Sequence, residues 1–246
     1  VKKLVYCILL YLSVSSTQAQ KKGLQAPLTM GEVKLVFQHH YNGRPLVLHD
    51  STYTHQTGEM FTLRKLKYYV GRMMFFSGEK KIQRNYYFLI NEERPASKTI
   101  TLMLPERDYD SLHILFGVDS NLNVAGAQTG SLDPANDMFW TWNSGYVMQK
   151  LEGQSPQSKA INQKIEYHLG GYSGPNRAQQ LRAFYFKSPI LHVKKNITAT
   201  VIITADFNGF WQGDFSISSQ PVCNTAGELA GRLAQRFCQL FLADIQ

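Results

Sequence analysis

Apolar residues recur at every second position along most of this chain. Val33, Leu35 and Phe37 fall on one side of an extended segment, and alternation of period two marks a half-buried strand. Leu112, Ile114, Phe116 and Val118 repeat the pattern. Ile197, Ala199, Val201, Ile203, Ala205 and Phe207 carry it over the longest run, and Tyr86–Ile90 and Ile100–Leu104 are shorter examples. Asn42-Gly43 and the glycine-rich stretch Leu122–Gly130 interrupt it as turns or loops. Many strands without alternating helices predict a mainly β fold, an antiparallel β-sandwich. One segment differs. Ala226, Leu229, Ala230, Leu233, Ala234, Phe237, Cys238 and Phe241 recur at helical spacing behind Thr225-Ala226-Gly227-Glu228, which reads as a capping box. A C-terminal helix is therefore expected to pack on the sandwich or close its end.

The start of the chain has another character. Lys2 and Lys3 precede an apolar run from Leu4 to Val14, and Ser15, Ser16, Thr17 and Ala19 supply small residues for cleavage after Ala19 or Gln20. Eleven apolar residues fall short of the roughly twenty that span a bilayer, so residues 1–20 read as a secretory signal peptide. Cys7 sits inside the run with no small residues before it, which argues against a lipid-anchored cysteine. No other segment is long and apolar enough for a transmembrane helix. A periplasmic or secreted protein is expected, with residues 21–246 forming a single domain, since no linker or repeat divides them.

Export changes the reading of the two remaining cysteines, Cys223 and Cys238, because a pair in an oxidising compartment suggests a disulfide. The helical period opposes it. A helix begun at Thr225 carries Cys238 roughly 20 Å along its axis, whereas a disulfide needs Cα atoms within about 7 Å. Cys238 is expected to be a small buried hydrophobe, and Cys223 a free thiol or a contact residue, with a copper-ligand role as a weaker alternative. The formal charge of +8 falls to +6 once Lys2 and Lys3 are removed. The remaining basic residues are scattered, as in Arg64-Lys65, Lys80-Lys81 and Lys194-Lys195, with no basic stripe interleaved with aromatics. Nucleic acid is a poor partner for such a surface.

The chain lacks HExxH, CxxC and G-x-S-x-G motifs, so it offers no signature of a zinc hydrolase, dithiol enzyme or serine hydrolase. It is not expected to be an enzyme. Its seven histidines are the remaining chemistry. His39 continues the inward face of Val33, Leu35 and Phe37, so its ring needs a partner, either a hydrogen bond or a metal. His168, in Tyr167-His168-Leu169-Gly170-Gly171, lies on the side of its strand that carries Glu166. That carboxylate is a candidate acceptor that would orient the ring from behind, and an exposed polar face is the alternative. His113 sits opposite the apolar side of its segment and ranks third. His49, His55 and His192 read as loop or surface residues. Trp140 and Trp142 project to one face of a strand, as a core pair or as sites of oxidation, with Trp211 a weaker candidate. Asp119-Ser120-Asn121-Leu122-Asn123 lacks the glycine and distal glutamate of a calcium loop and reads as an Asx-rich turn.

Motif order adds a further layer. Phe37-Gln38-His39-His40-Tyr41-Asn42-Gly43-Arg44-Pro45-Leu46 is followed by Phe61-Thr62-Leu63-Arg64-Lys65-Leu66-Lys67-Tyr68-Tyr69-Val70. Then come Gly117-Val118-Asp119, Leu132-Asp133-Pro134, Met138-Phe139-Trp140-Thr141-Trp142-Asn143-Ser144-Gly145-Tyr146, Lys150-Leu151-Glu152-Gly153, and the His168 segment. Each piece is weak alone. In this order they resemble the MbnP-like family of secreted copper-binding proteins, similar to the copper proteins of methane oxidisers, from about Val33 to the C-terminus. Asp137 departs from the family's Asn-Gly-Met loop, a change expected to alter a turn and little else. The resemblance implies a β-sandwich holding one copper ion through histidines plus a kynurenine made by oxidising a tryptophan. It also implies an oxidising partner, a dihaem peroxidase-like enzyme. The expected site draws on His39, His168 and His113, with Trp140 or Trp142 as the modified residue. The function to weigh against copper acquisition, storage or delivery is a non-metal surface module that recognises a protein or glycan, for which the 13 tyrosines would suit a contact surface.

Overall fold

The computed structural model describes residues 28–141, 144–211 and 215–246. The expected signal peptide, with Lys2, Lys3 and Cys7, lies outside these residues, and so does Trp142. The chain lays down strands β1 (Met30–Tyr41), β2 (Arg44–Pro45), β3 (Thr52–Thr54), β4 (Met60–Ser77), β5 (Lys80–Asn91), β6 (Thr99–Pro105), β7 (Arg107–Tyr109) and β8 (Ser111–Phe116). A short helix, α1 (Ser120–Val124), leads to β9 (Phe139–Thr141), β10 (Gly145–Gln154), β11 (Lys164–Gly170), β12 (Gln180–Tyr185), β13 (Leu191–Val193), β14 (Thr198–Asp206) and β15 (Val222–Cys223). Helix α2 (Glu228–Gln239) and strand β16 (Phe241–Ile245) close the chain.

Two sheets form the expected β-sandwich. The five-stranded sheet runs β16-β14-β1-β2 with β6 also on β1, and the nine-stranded sheet runs β12-β8-β4-β10-β11-β15 with β3, β5 and β9 attached. Most pairs are antiparallel, but β1 lies parallel to β14 and β11 parallel to β15. The alternation read from sequence is the packing pattern. Val33, Leu35 and Phe37 of β1 and Val201, Ile203 and Ala205 of β14 all turn into one continuous core. Across the layers Phe37 meets Tyr68 edge-on at 6.2 Å. Strand β4 is the spine of the larger sheet. Its first half pairs with β10 and its second, from Val70 on, with β8, and a bulge at Arg72, whose φ is 44°, then shifts the β8 register. An extra residue in one strand bends it and re-aims the side chains beyond the bulge.

The C-terminal region differs from expectation in two ways. Helix α2 begins at Glu228 behind Gly227, with no side-chain cap, so the Thr225 capping box does not form. It ends at Gln239, and Phe241 opens β16, which pairs antiparallel with β14 from Val201 to Ala205. Without it the backbone groups along that edge of β14 would have no strand partner. Phe241 is nonetheless buried, against Tyr68, Phe116 and Phe237. Cys223 and Cys238 are free and buried, and burial pushes the Cys238 thiol up to about 12. Among the described residues no helix is long and apolar enough to cross a membrane.

Candidate metal centre

His39 occupies the inward position that β1 assigns to it, and its side chain has no exposed surface. Both ring nitrogens are engaged. Nδ1 lies against the Glu92 carboxylate and Nε2 is 2.8 Å from the Tyr68 hydroxyl. Glu92 continues the line outward to Lys98 Nζ at 2.7 Å. Burial holds the His39 pKa below its ordinary value against the pull of Glu92. Burial also pushes Glu92 up, but the bonds from His39 and Lys98 outweigh it and keep that carboxyl low. The consistent assignment is a neutral imidazole that donates from Nδ1 to an ionised Glu92 and accepts the Tyr68 O–H at Nε2. Rings of Tyr68, Phe207 and Phe241 stand edge-on around it. The partner that sequence required is therefore a pair of side chains, 29 and 53 positions away.

His168 lies on the outer face of the larger sheet, because Ile165, Tyr167 and Leu169 of β11 turn inward. Its Nε2 is 2.7 Å from Glu152 Oε1 on the neighbouring strand. Glu166, the carboxylate named from sequence, is held instead by Lys164 and Asn224, each at 3.0 Å. The cause is cross-strand register. Residue 168 pairs with Lys150 and residue 166 with Glu152, so Glu152 reaches His168 along the diagonal. Lys65 reaches the second Glu152 oxygen at 3.3 Å, and Lys150 stands 3.8 Å from the first. The bond from His168, then the lysine charges, hold the Glu152 carboxyl at about 2 against the upward push of burial.

Asp137 has a larger part than a turn substitution suggests. It adopts the left-handed backbone conformation, φ 61°, that a glycine takes without strain. Its carboxylate bridges Lys65 at 3.1 Å and Lys150 at 3.0 Å, while its own carbonyl receives the buried Lys150 ammonium as well. Sequence reasoning missed Glu152, Lys150 and Lys65. The available signal was the Lys150-Leu151-Glu152 alternation, which puts both charges on one face of a strand.

Trp140 adjoins this cluster. A Cβ added to Gly170 would lie 2.4 and 2.6 Å from two atoms of its six-membered ring, so the indole rests against bare backbone. Residues 168 and 170 share a face of β11, so the Trp140 ring rests on the sheet face that also carries His168. Trp211 is fully buried, 4.4 Å from Phe61, with its N–H on the Tyr167 hydroxyl at 3.3 Å.

The three named imidazoles do not come together. His39 is inside the sandwich and the other two are outside it. His113 pairs with Met74 and Lys150 with Lys67, positions separated along β4 by roughly 20 Å at about 3.3 Å per residue. His113 is flanked by the rings of Phe76 and Tyr185, and burial lowers its pKa. His55, expected in a loop or at the surface, does lie in a loop but is buried, with Nδ1 2.9 Å from the Thr57 hydroxyl. Among the described residues no three His, Cys, Asp or Glu side chains are grouped to hold a metal. A histidine-only copper site does not fit this arrangement.

A family model described as MbnP matches residues 30–225. Among solved structures the chain is similar to MbnP from Methylosinus trichosporium. The identity is 12% and the TM-score 0.49, over 78% of this chain and 84% of that one. No curated protein matches.

Proposed function

The chain belongs to the MbnP family, and from that premise we propose that it is an exported copper-binding protein that acquires, stores or delivers the ion and is not itself an enzyme. The observation that carries this reading is that Trp140 rests on Gly170, on the sheet face that also carries His168, with Glu152 fixing the imidazole. Glu152 takes the Nε2 proton, so Nδ1 is the nitrogen left for a metal, and a carboxylate behind a ligating histidine raises its basicity. An intact indole has only an N–H donor and cannot ligate. Oxidation to kynurenine would supply an aryl amine and a ketone at that position. The half-buried placement of Trp140 leaves it within reach of an external oxidant such as a dihaem peroxidase-like enzyme, whereas Trp211 is sealed in the core. The N-terminal segment supports export to the periplasm or beyond.

The test is intact mass, peptide mapping and metal content of protein from its native exporting host. The expected result is a Trp140 peptide that has gained one oxygen and lost one carbon, together with stoichiometric copper that His168→Ala abolishes and His113→Ala leaves alone. Unmodified Trp140 in protein that retains no copper against a Cu(I) chelator defeats the reading.

A further inference from the structure

A second feature of the Trp140 region has nothing to do with metal. The indole forms one wall of a surface cleft of about 570 Å³, within the 300–1,000 Å³ range of small-molecule sites. The opposite walls are two loops, residues 171–176 and 224–227. They present Tyr172, Ser173, Asn176, Asn224 and Thr225, and among the described residues no lysine, arginine, histidine, aspartate or glutamate lines the cleft. The neighbouring cleft, which shares Asn176, is charged by Arg177, Glu228 and Arg232. The cleft beside His39 is charged by Glu92 and Lys98.

The loops are held in place. The Tyr172 carbonyl accepts from Ser120 Oγ at 2.6 Å and from Gln179 Nε2 at 2.8 Å. Ala178 N–H donates to the Gly171 carbonyl at 2.8 Å. Gly171, at φ 113°, leaves its missing Cβ only 3.2 Å from Ala226, and Gly231 of α2 lies under the Asn176 carbonyl, 2.9 Å from where its own Cβ would be. Two close approaches that only glycine permits thus lock one wall against the other. Asn224 gives its amide N–H to Glu166, so its carbonyl oxygen remains an acceptor.

We propose that this cleft binds a neutral carbohydrate. The electron-rich face of an indole attracts polarised C–H groups such as those on one side of a pyranose ring. Carboxamides and hydroxyls both donate and accept, as a polyol's hydroxyls do. A charged ligand would lose hydration here with no counter-charge to replace it, whereas a neutral sugar incurs no such cost. Preformed walls reduce the entropy lost on binding. The site uses the intact indole and no metal, so it belongs to protein in which Trp140 has not been converted to kynurenine.

The experiment uses metal-free protein whose mass shows unmodified tryptophan. It is applied to an array of neutral and acidic oligosaccharides, and each binder is then titrated by calorimetry. Neutral glycans are expected to bind. Trp140→Ala and Asn176→Ala should each weaken them by about tenfold, the scale of one aromatic or hydrogen-bonding contact. Arg232→Ala in the charged cleft should leave them unchanged. Asn176 makes no side-chain contact on which the fold depends, so its variant remains informative if Trp140→Ala misfolds. Absence of any binder, binders confined to acidic glycans, or binding that survives Asn176→Ala overturns the proposal.

Discussion

Two histidine–glutamate pairs lie in opposite surroundings. His39 and Glu92 sit inside the sandwich, and His168 and Glu152 lie on its outer face. Inside, both imidazole nitrogens are consumed, by Glu92 and by Tyr68, and burial keeps the ring neutral. Outside, one nitrogen meets Glu152, and the lysine charges that stabilise Glu152 come from β4 and β10. The inner pair fastens the two sheets, since His39 belongs to the five-stranded sheet and Tyr68 and Glu92 to the β4–β5 side of the other. The outer pair joins adjacent strands that backbone bonds already hold. One arrangement commits its histidine to architecture, and the other leaves it available for chemistry.

Removing each histidine should separate these roles. His39→Ala empties the ring's place in the core, leaves the buried Tyr68 hydroxyl unpaired and takes one of two partners from Glu92, which keeps Lys98, a loss of about 3 kcal/mol. Urea denaturation measures it, and a loss below about 1 kcal/mol would erase the distinction. His168→Ala should cost under about 1 kcal/mol, because a partly exposed pair is worth little, yet it should abolish copper retention. If His39→Ala folds and also loses copper, the two sites are not separate.

Gly170→Ala tests the outer face from its backbone. The new methyl would meet the Trp140 ring at 2.4 Å, and the indole must move. The expected cost is about 1–3 kcal/mol, as for other overpacked sites, with a shift in tryptophan fluorescence. An unchanged spectrum and unchanged stability would show that the ring does not rest on Gly170.

Acid should unfold the two regions in different windows. The His39 pKa is depressed below 6.5, so its contribution fades as pH falls from 6.5, where the unfolded chain takes up the proton first. Glu152 is depressed from 4.5 to about 2, so its contribution is complete above pH 4.5 and is lost between 4.5 and 2. Screening of a partly exposed group leaves about 2 kcal/mol of that at most. Stability profiles of Glu152→Gln should show a shallower lower window, to which Glu92 also contributes, and keep the upper one. His39→Gln should do the reverse. A single window removed by both would contradict the assignment.

How much of this could be read from the chain depended on range. The strand alternation of β1 and β14 is a property of nearby residues, and it placed the His39 ring inward before any partner was visible. The partner itself lies 53 positions away, and only the pairing of sheets brings it there. Glu152 in place of Glu166 is a matter of register between β10 and β11, which no periodicity within β11 reveals. Phe241 fits the helical spacing that precedes it and is buried either way, so the change from helix to strand carried no signal in its apolar pattern. His55 sits among polar neighbours and looked exposed, yet Glu59 beside it accepts backbone N–H groups from Ile217 and Ser218 and draws that corner into the core. The order of family motifs exposed what local pattern could not, the family itself.

Asp137→Gly should have the smallest effect, and it asks how far the outer cluster is cooperative. Glycine at φ 61° relieves backbone strain of about 1 kcal/mol. Against that, Lys150 and Lys65 lose a carboxylate, but an exposed one whose ion pairs are worth little. Lys150 keeps the backbone carbonyl of residue 137, and both lysines keep Glu152. The two changes should nearly cancel, leaving stability within about 1 kcal/mol of the parent and copper retention intact, since the His168–Glu152 bond does not pass through Asp137. A loss beyond about 2 kcal/mol would mean that the buried Lys150 depends on Asp137 for its charge balance. The outer face would then be a tightly coupled network like the inner one, and the contrast between the two histidines would rest on exposure alone.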